Sequence, residues 1–398
     1  MEWATDVFIL GGCGHVGLPL GLGFARAGFK VNLYDIDPDR ANAVRAGRMP
    51  FLEYGAQDIL GQVLGNRLHV VDSLSAVGQA SCIVITIGTP VDEYLKPKVS
   101  PLFELIDQLS QYLRPGHKVM IRSTVYPGTT RRVQERLGNH IGNIHVAYCP
   151  ERVAQGYAIV ELTRLPQIVS GFSAEGVDFC SDLFRRLGCR TVVVEVEEAE
   201  LAKLFLNSWR YIQFAIANQF YVIASEANLD FFKIHRAMTW GYDRAKDFPL
   251  PGFTAGPCLL KDTMQLSAYD RHHFLLGHAA MLLNEGLPDF IVRNLKRTHK
   301  VSGTRVGILG MTFKADVDDI RDSLAYKLRK LLQFEGATVL CCDEFVRDAS
   351  FVSKEELLES CEIIVLGAPH SAYRSLRIPE KAHVIDVWGF FNRDRELG

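Results

Sequence analysis

This sequence has no C-x-x-C pair and no regular cysteine spacing; its nine cysteines are odd in number and scattered. That argues against a disulfide framework or a cysteine zinc site and fits reduced thiols in a cytoplasm. Long hydrophobic runs are missing as well. None reaches membrane-spanning length, and the N-terminus lacks the basic-then-apolar layout of a signal peptide, so a cytoplasmic protein with no membrane partner is expected. Charge of one sign is scarce. A net charge of -2 gives no basis for a nucleic-acid partner or an acidic surface. His272, His273 and His278 have no accompanying carboxylate or cysteine pattern, so they read as surface or interface residues and no metal is expected. What is present is ordinary for a globular chain, 48% hydrophobic and 23% charged. At 398 residues it is too long for one core, and two or three domains are expected.

Val7-Phe8-Ile9-Leu10 reads as a buried parallel strand and runs into Gly12-Cys13-Gly14-His15-Val16-Gly17. A helix to about Gly28 follows, then a strand Val31 to Tyr34 that ends at Asp35. A bare G-x-G-x-x-G is a weak signal. Set between strand and helix, with an acid at the tip of the next strand, it is a strong signal for a dinucleotide-binding fold. The glycines let a pyrophosphate approach backbone N–H groups at a helix N-terminus. Asp35 suits the adenosine ribose and repels a 2′-phosphate, so NAD is favoured over NADP; Arg40 weakens that preference slightly. Strands over 83–87, 118–122 and 145–148 continue the alternation, and their following loops carry Thr89, Thr124 and Glu151-Arg152. Loops after strand C-termini line the ligand crevice of an open α/β sheet, so these polar residues are site candidates. The alternative for each is a turn or cap.

Beyond Val192 to Val194 the pattern turns helical. From Glu195 to about Asn228 there is neither Pro nor Gly, and apolar residues recur at helical spacing, so one long central helix is expected. Lys203 and Asn207 share a face of it, flanked by Leu and Phe. They face a pocket, or Lys203 forms only a surface ion pair with Glu200. Apolar residues on more than one face point to a homodimer through this helix. The run Gly252 to Asp262 then leads small, flexible residues into a single thiol, Cys258, with Pro257 fixing the backbone just before it and Lys261 and Asp262 close behind. Such surroundings lower a thiol's pKa and expose a nucleophilic thiolate. The competing reading is an ordinary buried cysteine at a loop-to-helix junction. A largely helical segment, 263–297, and a polar connector follow.

Arg305 to Gly310 opens a second α/β unit, with further strands at 338–340, 363–366 and 383–386. Its first loop is not glycine-rich but carries Lys314 and Arg321, which suit an anionic ligand. A solvated charged loop is the alternative. The fold class is therefore α/β, with two Rossmann-like parallel-sheet domains joined by a long central helix and a helical dimerisation domain. The divisions fall at 1–195, 196–298 (with the Cys loop) and 299–398.

Taken in order, these motifs resemble the UDP-glucose/GDP-mannose dehydrogenase family of nucleotide-sugar 6-dehydrogenases over nearly the whole chain. The resemblance rests on the glycine loop, Ser123 to Thr129, Pro150-Glu151, Ala199 to Asn207, Cys258 to Asp262 and Phe313 to Ser323. It implies a four-electron oxidation of a sugar C6 alcohol to a carboxylate with two NAD+, through a thiohemiacetal and a thioester on Cys258. Lys203 and Asn207 would stabilise the C6 oxyanion. Asp262 and Glu151 would handle protons or position water, with Thr124 orienting it. Arg244 would reach the nucleotide sugar, in this family often across the dimer interface, while Lys314 and Arg321 would hold it from the C-terminal, nucleotide-sugar-binding domain. Arg152 and Gly256 belong to the substrate side; Gly12, Gly14, His15, Val16, Gly17, Asp35, Arg40, Thr89 and Thr124 belong to the cofactor side. The implied setting is polysaccharide biosynthesis. Phe253 and Ala255 stand where the family's Cys loop usually has more glycines. The Arg152, Gly156 and Arg244 spacing is that of the N-acetylhexosamine branch, whereas Lys261-Asp262 is closer to the glucose and mannose branches. UDP-glucose and UDP-N-acetylhexosamine are therefore both open, with GDP-mannose as the alternative. A β-hydroxyacid dehydrogenase would need neither Cys258 nor a second sheet domain, and a non-catalytic NAD-binding regulator would not need the Lys203, Asn207, Cys258 and Asp262 set.

Overall fold

The computed structural model describes residues 4–391; residues 1–3 and 392–398, part of the two outer expected domains, lie outside the described residues. The chain forms two compact units, Met1–Leu206 and Asn207–Gly398. The division falls within the long helix Val196–Glu226.

In the first unit, β1 (Thr5–Leu10), β2 (Val31–Tyr34), β3 (Leu68–Val70), β4 (Ala80–Ile85), β5 (Lys118–Ile121), β6 (His145–Tyr148), β7 (Gln167–Gly171) and β8 (Thr191–Val193) form one sheet. Their order is β3-β2-β1-β4-β5-β6-β7-β8. Only the β6–β7 pairing is antiparallel. Along β1, Val7 and Ile9 enter one apolar cluster while Phe8 and Leu10 enter another. Both faces are thus covered, which is why the strand reads as a continuous apolar run. Burying each such side chain is worth about 1.5–3 kcal/mol, more than the roughly 1 kcal/mol span of intrinsic strand preference. The strand order reverses between β1 and β4, and the loops after these strands therefore flank the switch-point crevice.

The expected strand 83–87 ends earlier, at Ile85. The Thr86 hydroxyl donates to the Leu10 carbonyl at 2.7 Å and to the Gly11 carbonyl at 3.1 Å, turning the chain toward the glycine loop. Short β3 and antiparallel β7 carry no sequence pattern strong enough to announce them.

In the second unit, β9 (Arg305–Leu309), β10 (Thr338–Cys342), β11 (Ile363–Leu366) and β12 (His383–Ile385) run parallel in the order β10-β9-β11-β12. Cys341 and Cys342 are core residues, as the apolar run around them suggests. Helices Leu259–Tyr269 and Leu275–Thr298 account for the helical segment before this sheet. A buried amide pair ties the long helix to the start of the Cys loop. The Asn218 side chain donates to Gly252 O at 3.1 Å and accepts from Gly252 N at 2.9 Å. It also donates to Asn284 Oδ1 at 2.9 Å, and Asn284 donates to Tyr211 O at 3.0 Å. Unpaired, these buried amides would cost about 1–3 kcal/mol each, so they fix the loop's entry. No helix among the described residues is long and apolar enough to cross a membrane.

Candidate active site

Each glycine of the first loop has its own reason. A side chain on Gly12 would meet Ile9 O and Leu33 Cβ at 2.8 Å, and one on Gly17 would collide with the Gly11 carbonyl. These two let helix and strand pack closely. Gly14 is different: its Cβ would find Gly11 O at 3.3 Å and Arg40 Nη1 at 3.9 Å, so its outer side is open to approach. The helix Gly17–Arg26 begins here with Val16 as its N-cap, presenting N–H groups that have no intrahelical acceptor. Asp35 accepts from Cys13 N at 2.9 Å and from Asp37 N at 3.0 Å, fixing the loop to the tip of β2 while each oxygen keeps a further lone pair. Arg40 pairs with Asp37 at 3.3 Å, and the His15 ring lies 4.0 Å from Phe51. The cradle fits a dinucleotide, and an acid where a 2′-phosphate would sit fits NAD.

Across the switch point, the Thr89 hydroxyl donates to Thr124 O. Downstream lies Gly128, with φ of 88°, which opens the helix Thr129–Ile141. Glu200 caps that helix. Its carboxylate accepts from Gly128 N at 2.6 Å, Thr130 N at 2.9 Å and the Thr130 hydroxyl at 2.5 Å. Glu200 is 0% exposed, so the surface Glu200–Lys203 ion pair entertained from sequence is corrected. Burial raises its pKa, with the Thr130 and Gly128 donors working the other way. Lys203 and Asn207 lie on the same helix one and two turns further on, 8% and 5% exposed. No side chain among the described residues pairs with the Lys203 ammonium.

Glu151 is also buried, and its oxygens are fully engaged. Oε2 accepts from Nε and Nη2 of Arg122, and Oε1 accepts from Arg152 N at 2.7 Å and Val153 N at 3.0 Å. Burial alone would raise its pKa; the Arg122 guanidinium and the backbone donors outweigh it and hold the carboxyl below its ordinary value. Arg122, itself buried beneath this loop, was not among the sequence candidates. Arg152 turns its guanidinium to the Pro166 carbonyl.

In the second unit, Cys258 is the N-cap of the helix Leu259–Tyr269. It is exposed while the other eight cysteines are buried, which overturns the buried-thiol reading. One turn on, Asp262 N donates to Cys258 O at 2.9 Å. The Asp262 carboxylate is buried, accepts from Asn207 Nδ2 at 2.5 Å and pairs with Lys261 at 2.7 Å. A helix N-terminus favours a thiolate at its cap. Gly256, with φ of 99°, presses against the Phe313 ring, where a Cβ would lie 2.5 Å from Cδ2. This sets the Cys loop on the loop after β9, which also holds Lys314 and Arg321. Arg321 grips Asp319 through Nε and Nη2, at 3.0 and 2.6 Å. Hydrogen bonding to Asp319 is the chief cause that keeps Arg321 protonated; burial opposes it, and the nearby Cys258 sulfur adds to it. Arg244 stands on an exposed turn, its guanidinium 5.5 Å from the Tyr242 ring. His272 and His273 are exposed, and His278 lies near the Ser267 hydroxyl. Among the described residues no group of three or more His, Cys, Asp or Glu could hold a metal.

Family models for the UDP-glucose/GDP-mannose dehydrogenase family match along the chain: its NAD binding domain over residues 6–187, its central domain over 197–285 and its UDP binding domain over 307–393. A UDP-N-acetyl-D-mannosamine dehydrogenase of Methanocaldococcus jannaschii is 28% identical, covering 92% of this chain and 86% of its own. A UDP-N-acetyl-D-glucosamine 6-dehydrogenase of Pseudomonas aeruginosa is 26% identical over 91% of this chain and 87% of its own. The solved structure of a UDP-D-ManNAc dehydrogenase from Pyrococcus horikoshii superposes with a TM-score of 0.88 at 28% identity, covering 96% of this chain and 94% of that one. With its glycine cradle and paired parallel sheets, this chain is a member of the UDP-glucose/GDP-mannose dehydrogenase family, an NAD-dependent oxidoreductase.

Proposed function

We propose that this enzyme oxidises the C6 alcohol of a UDP-N-acetylhexosamine to the carboxylate through a covalent intermediate on Cys258. The observation that carries the reading is an exposed thiol capping the helix whose Asp262 is joined to Asn207. NAD, when bound at the glycine loop, accepts the hydride in each of the two oxidations. The chain supplies the rest. Once C6 is an aldehyde, the Cys258 thiolate adds to its carbon, forming the S–C bond, and the carbonyl oxygen takes up a proton. Loss of that proton and a second hydride leaves a thioester. Water then attacks, the S–C bond breaks, and the thiolate is regenerated with the carboxylate. Lys203 and the second N–H of the Asn207 amide stabilise the C6 oxyanion, a contribution of about 3–4 kcal/mol for one such donor.

Of the two candidate acids, Asp262 is the better proton acceptor. It retains lone pairs, whereas all four of Glu151 are in use, so Glu151 with Arg122 acts as the anchor of its loop and Thr124 orients the water. Arg152, Arg244, Gly256, Lys314 and Arg321 make up the substrate side. The functional division is 1–195, 196–298 and 299–398, for NAD, the Cys loop with dimerisation, and the nucleotide sugar. The N-acetylhexosamine is supported by the two relatives named for such substrates. A homodimer through the central helix is supported by an exposed apolar stripe of Phe205, Trp209, Ile216, Phe220 and Ile223 at helical spacing. A cytoplasmic role in polysaccharide biosynthesis is part of this reading, and free cysteines support the cytoplasmic setting.

The test is NADH formation with UDP-glucose, UDP-N-acetylglucosamine, UDP-N-acetylmannosamine and GDP-mannose. Two NADH per N-acetylhexosamine are expected. One per sugar would indicate a simple alcohol dehydrogenase, and none a regulator. Cys258→Ser should abolish uronate formation with NAD binding intact; uronate at the wild-type rate would sink the covalent mechanism.

A further inference from the structure

A thiol that attacks an aldehyde does so as the thiolate. Building on the covalent reading above, we propose that Asp319 is a positioning residue that holds the Arg321 guanidinium beside Cys258, so that the sulfur is carried ionised.

A chain of contacts within the second unit leads to this. Gly256, two residues before the thiol, sits against the Phe313 ring with no room for a side chain. Phe313 N donates to Asp319 O at 3.0 Å, so the strip that supports the Cys loop is closed on Asp319. The Asp319 carboxylate is buried and accepts from Arg321 N at 3.0 Å, from Nε at 3.0 Å to both oxygens, and from Nη2 at 2.6 Å. Two-pronged contact along one edge fixes the plane of a guanidinium, which a single contact does not. The gripped edge is Nε and Nη2, leaving Nη1 as the free arm. Arg321 and the Cys258 sulfur lie close enough for their charges to interact.

Other charges belong to the two loops that meet here, Lys314, Asp316 and Asp318 of the loop after β9 among them. From the cysteine's own helix come Lys261 and Asp262, which pair with each other and largely cancel. From the opposing loop come Arg321, Asp319 and Asp322, the acids interacting with Arg321. Arg321 is paired in its turn, with Asp319 through Nε and Nη2, and it is this grip that decides where the remaining arm points.

The test uses the full-length protein without substrate or coenzyme. Reaction of Cys258 with 2,2′-dithiodipyridine, an uncharged disulfide, is followed from acid to alkaline pH, with Cys258→Ser giving the background of the buried cysteines. Arg321→Gln should raise the midpoint of the pH–rate curve by about one unit. On the acid limb, below both midpoints, the thiolate fraction then falls about tenfold while its nucleophilicity rises about threefold, so the acid-limb rate drops about threefold and the alkaline plateau climbs about threefold. A mere loosening of the loop would move both rates the same way. Arg321→Lys should keep part of the low midpoint, and Asp319→Asn should raise it. An unchanged midpoint in Arg321→Gln overturns the proposal, and an unchanged or lowered one in Asp319→Asn overturns the positioning role. Should Asp319→Asn fail to fold, Asp319→Glu, which keeps the charge but displaces it, is read by the same criterion. The two readings fail separately: uronate production by the wild type with no midpoint change in Arg321→Gln removes only this one, and the shifted midpoint without uronate removes only the covalent reaction.

Discussion

Replacing Glu200 isolates the contact that seats the start of the long helix. Its carboxylate meets three donors at the N-terminus of Thr129–Ile141: two on Oε1, both from Thr130, and Gly128 N on Oε2. Glutamine retains one oxygen but turns an amide N–H toward a donor, leaving at least one buried group unmet at about 1–3 kcal/mol. Glu200→Gln should therefore destabilise the first unit by about 2 kcal/mol. At roughly 2–4 °C per kcal/mol for a unit of this size, its melting point should fall by about 4–8 °C. Glu200→Ala strands all three donors and should cost more, about 3–4 kcal/mol once the Thr130 hydroxyl rotates to another acceptor.

The pH dependence gives an internal check. Glu200 has its folded-state pKa raised, chiefly by burial. Its ionisation therefore costs stability as pH climbs from the unfolded value, about 4.3, through the higher folded one. Glutamine has no such slope, so the penalty of Glu200→Gln should be larger at acid pH and shrink toward neutrality. Scanning calorimetry across that range reads both effects. Lys203 rides on the same helix, and a misplacement of about 1 Å there should lower kcat by about tenfold to a hundredfold. An Ala variant melting with the wild type would refute the capping role, and a Gln penalty that grows with pH would refute the raised pKa.

Gly256→Ala should lose about 2–3 kcal/mol, since alanine at a φ of 99° is strained and its methyl group meets Phe313; thermal melting reads this, and wild-type stability would contradict the close approach. The depressed pKa of Glu151 contributes stability that is fully present above the unfolded value of about 4.3 and is lost as pH falls through the lower folded value. Urea titrations should accordingly find Glu151→Gln more damaging at neutral than at strongly acid pH, and equal damage at both would rule the linkage out. Trp209→Glu with Ile223→Glu should halve the mass measured by light scattering, and a wild type already of monomer mass would remove the dimer from the proposal.

The fold was legible where the chemistry is local. Apolar runs, the glycine loop ending in Asp35 and the unbroken helical spacing after Glu195 each specify their element through contacts a few residues apart. The exposed Cys258, and Asp262 one turn along from it, could be placed on one helix end for the same reason. Sequence patterning carries no sign that Glu200 caps a helix 70 residues upstream, that Arg122 takes up one carboxylate oxygen of Glu151, or that Asp319 aims Arg321. The first two are buried carboxylates answering donors brought from elsewhere in the chain, while Asp319 grips a neighbour two residues on and is set by the loop that buries it. Patterning along a chain records which side chains avoid water, through a periodicity of two or 3.6. It holds no record of which polar partner will be waiting once water is gone. That choice belongs to the tertiary structure, because a desolvated charge is tolerated only where packing delivers its counterpart.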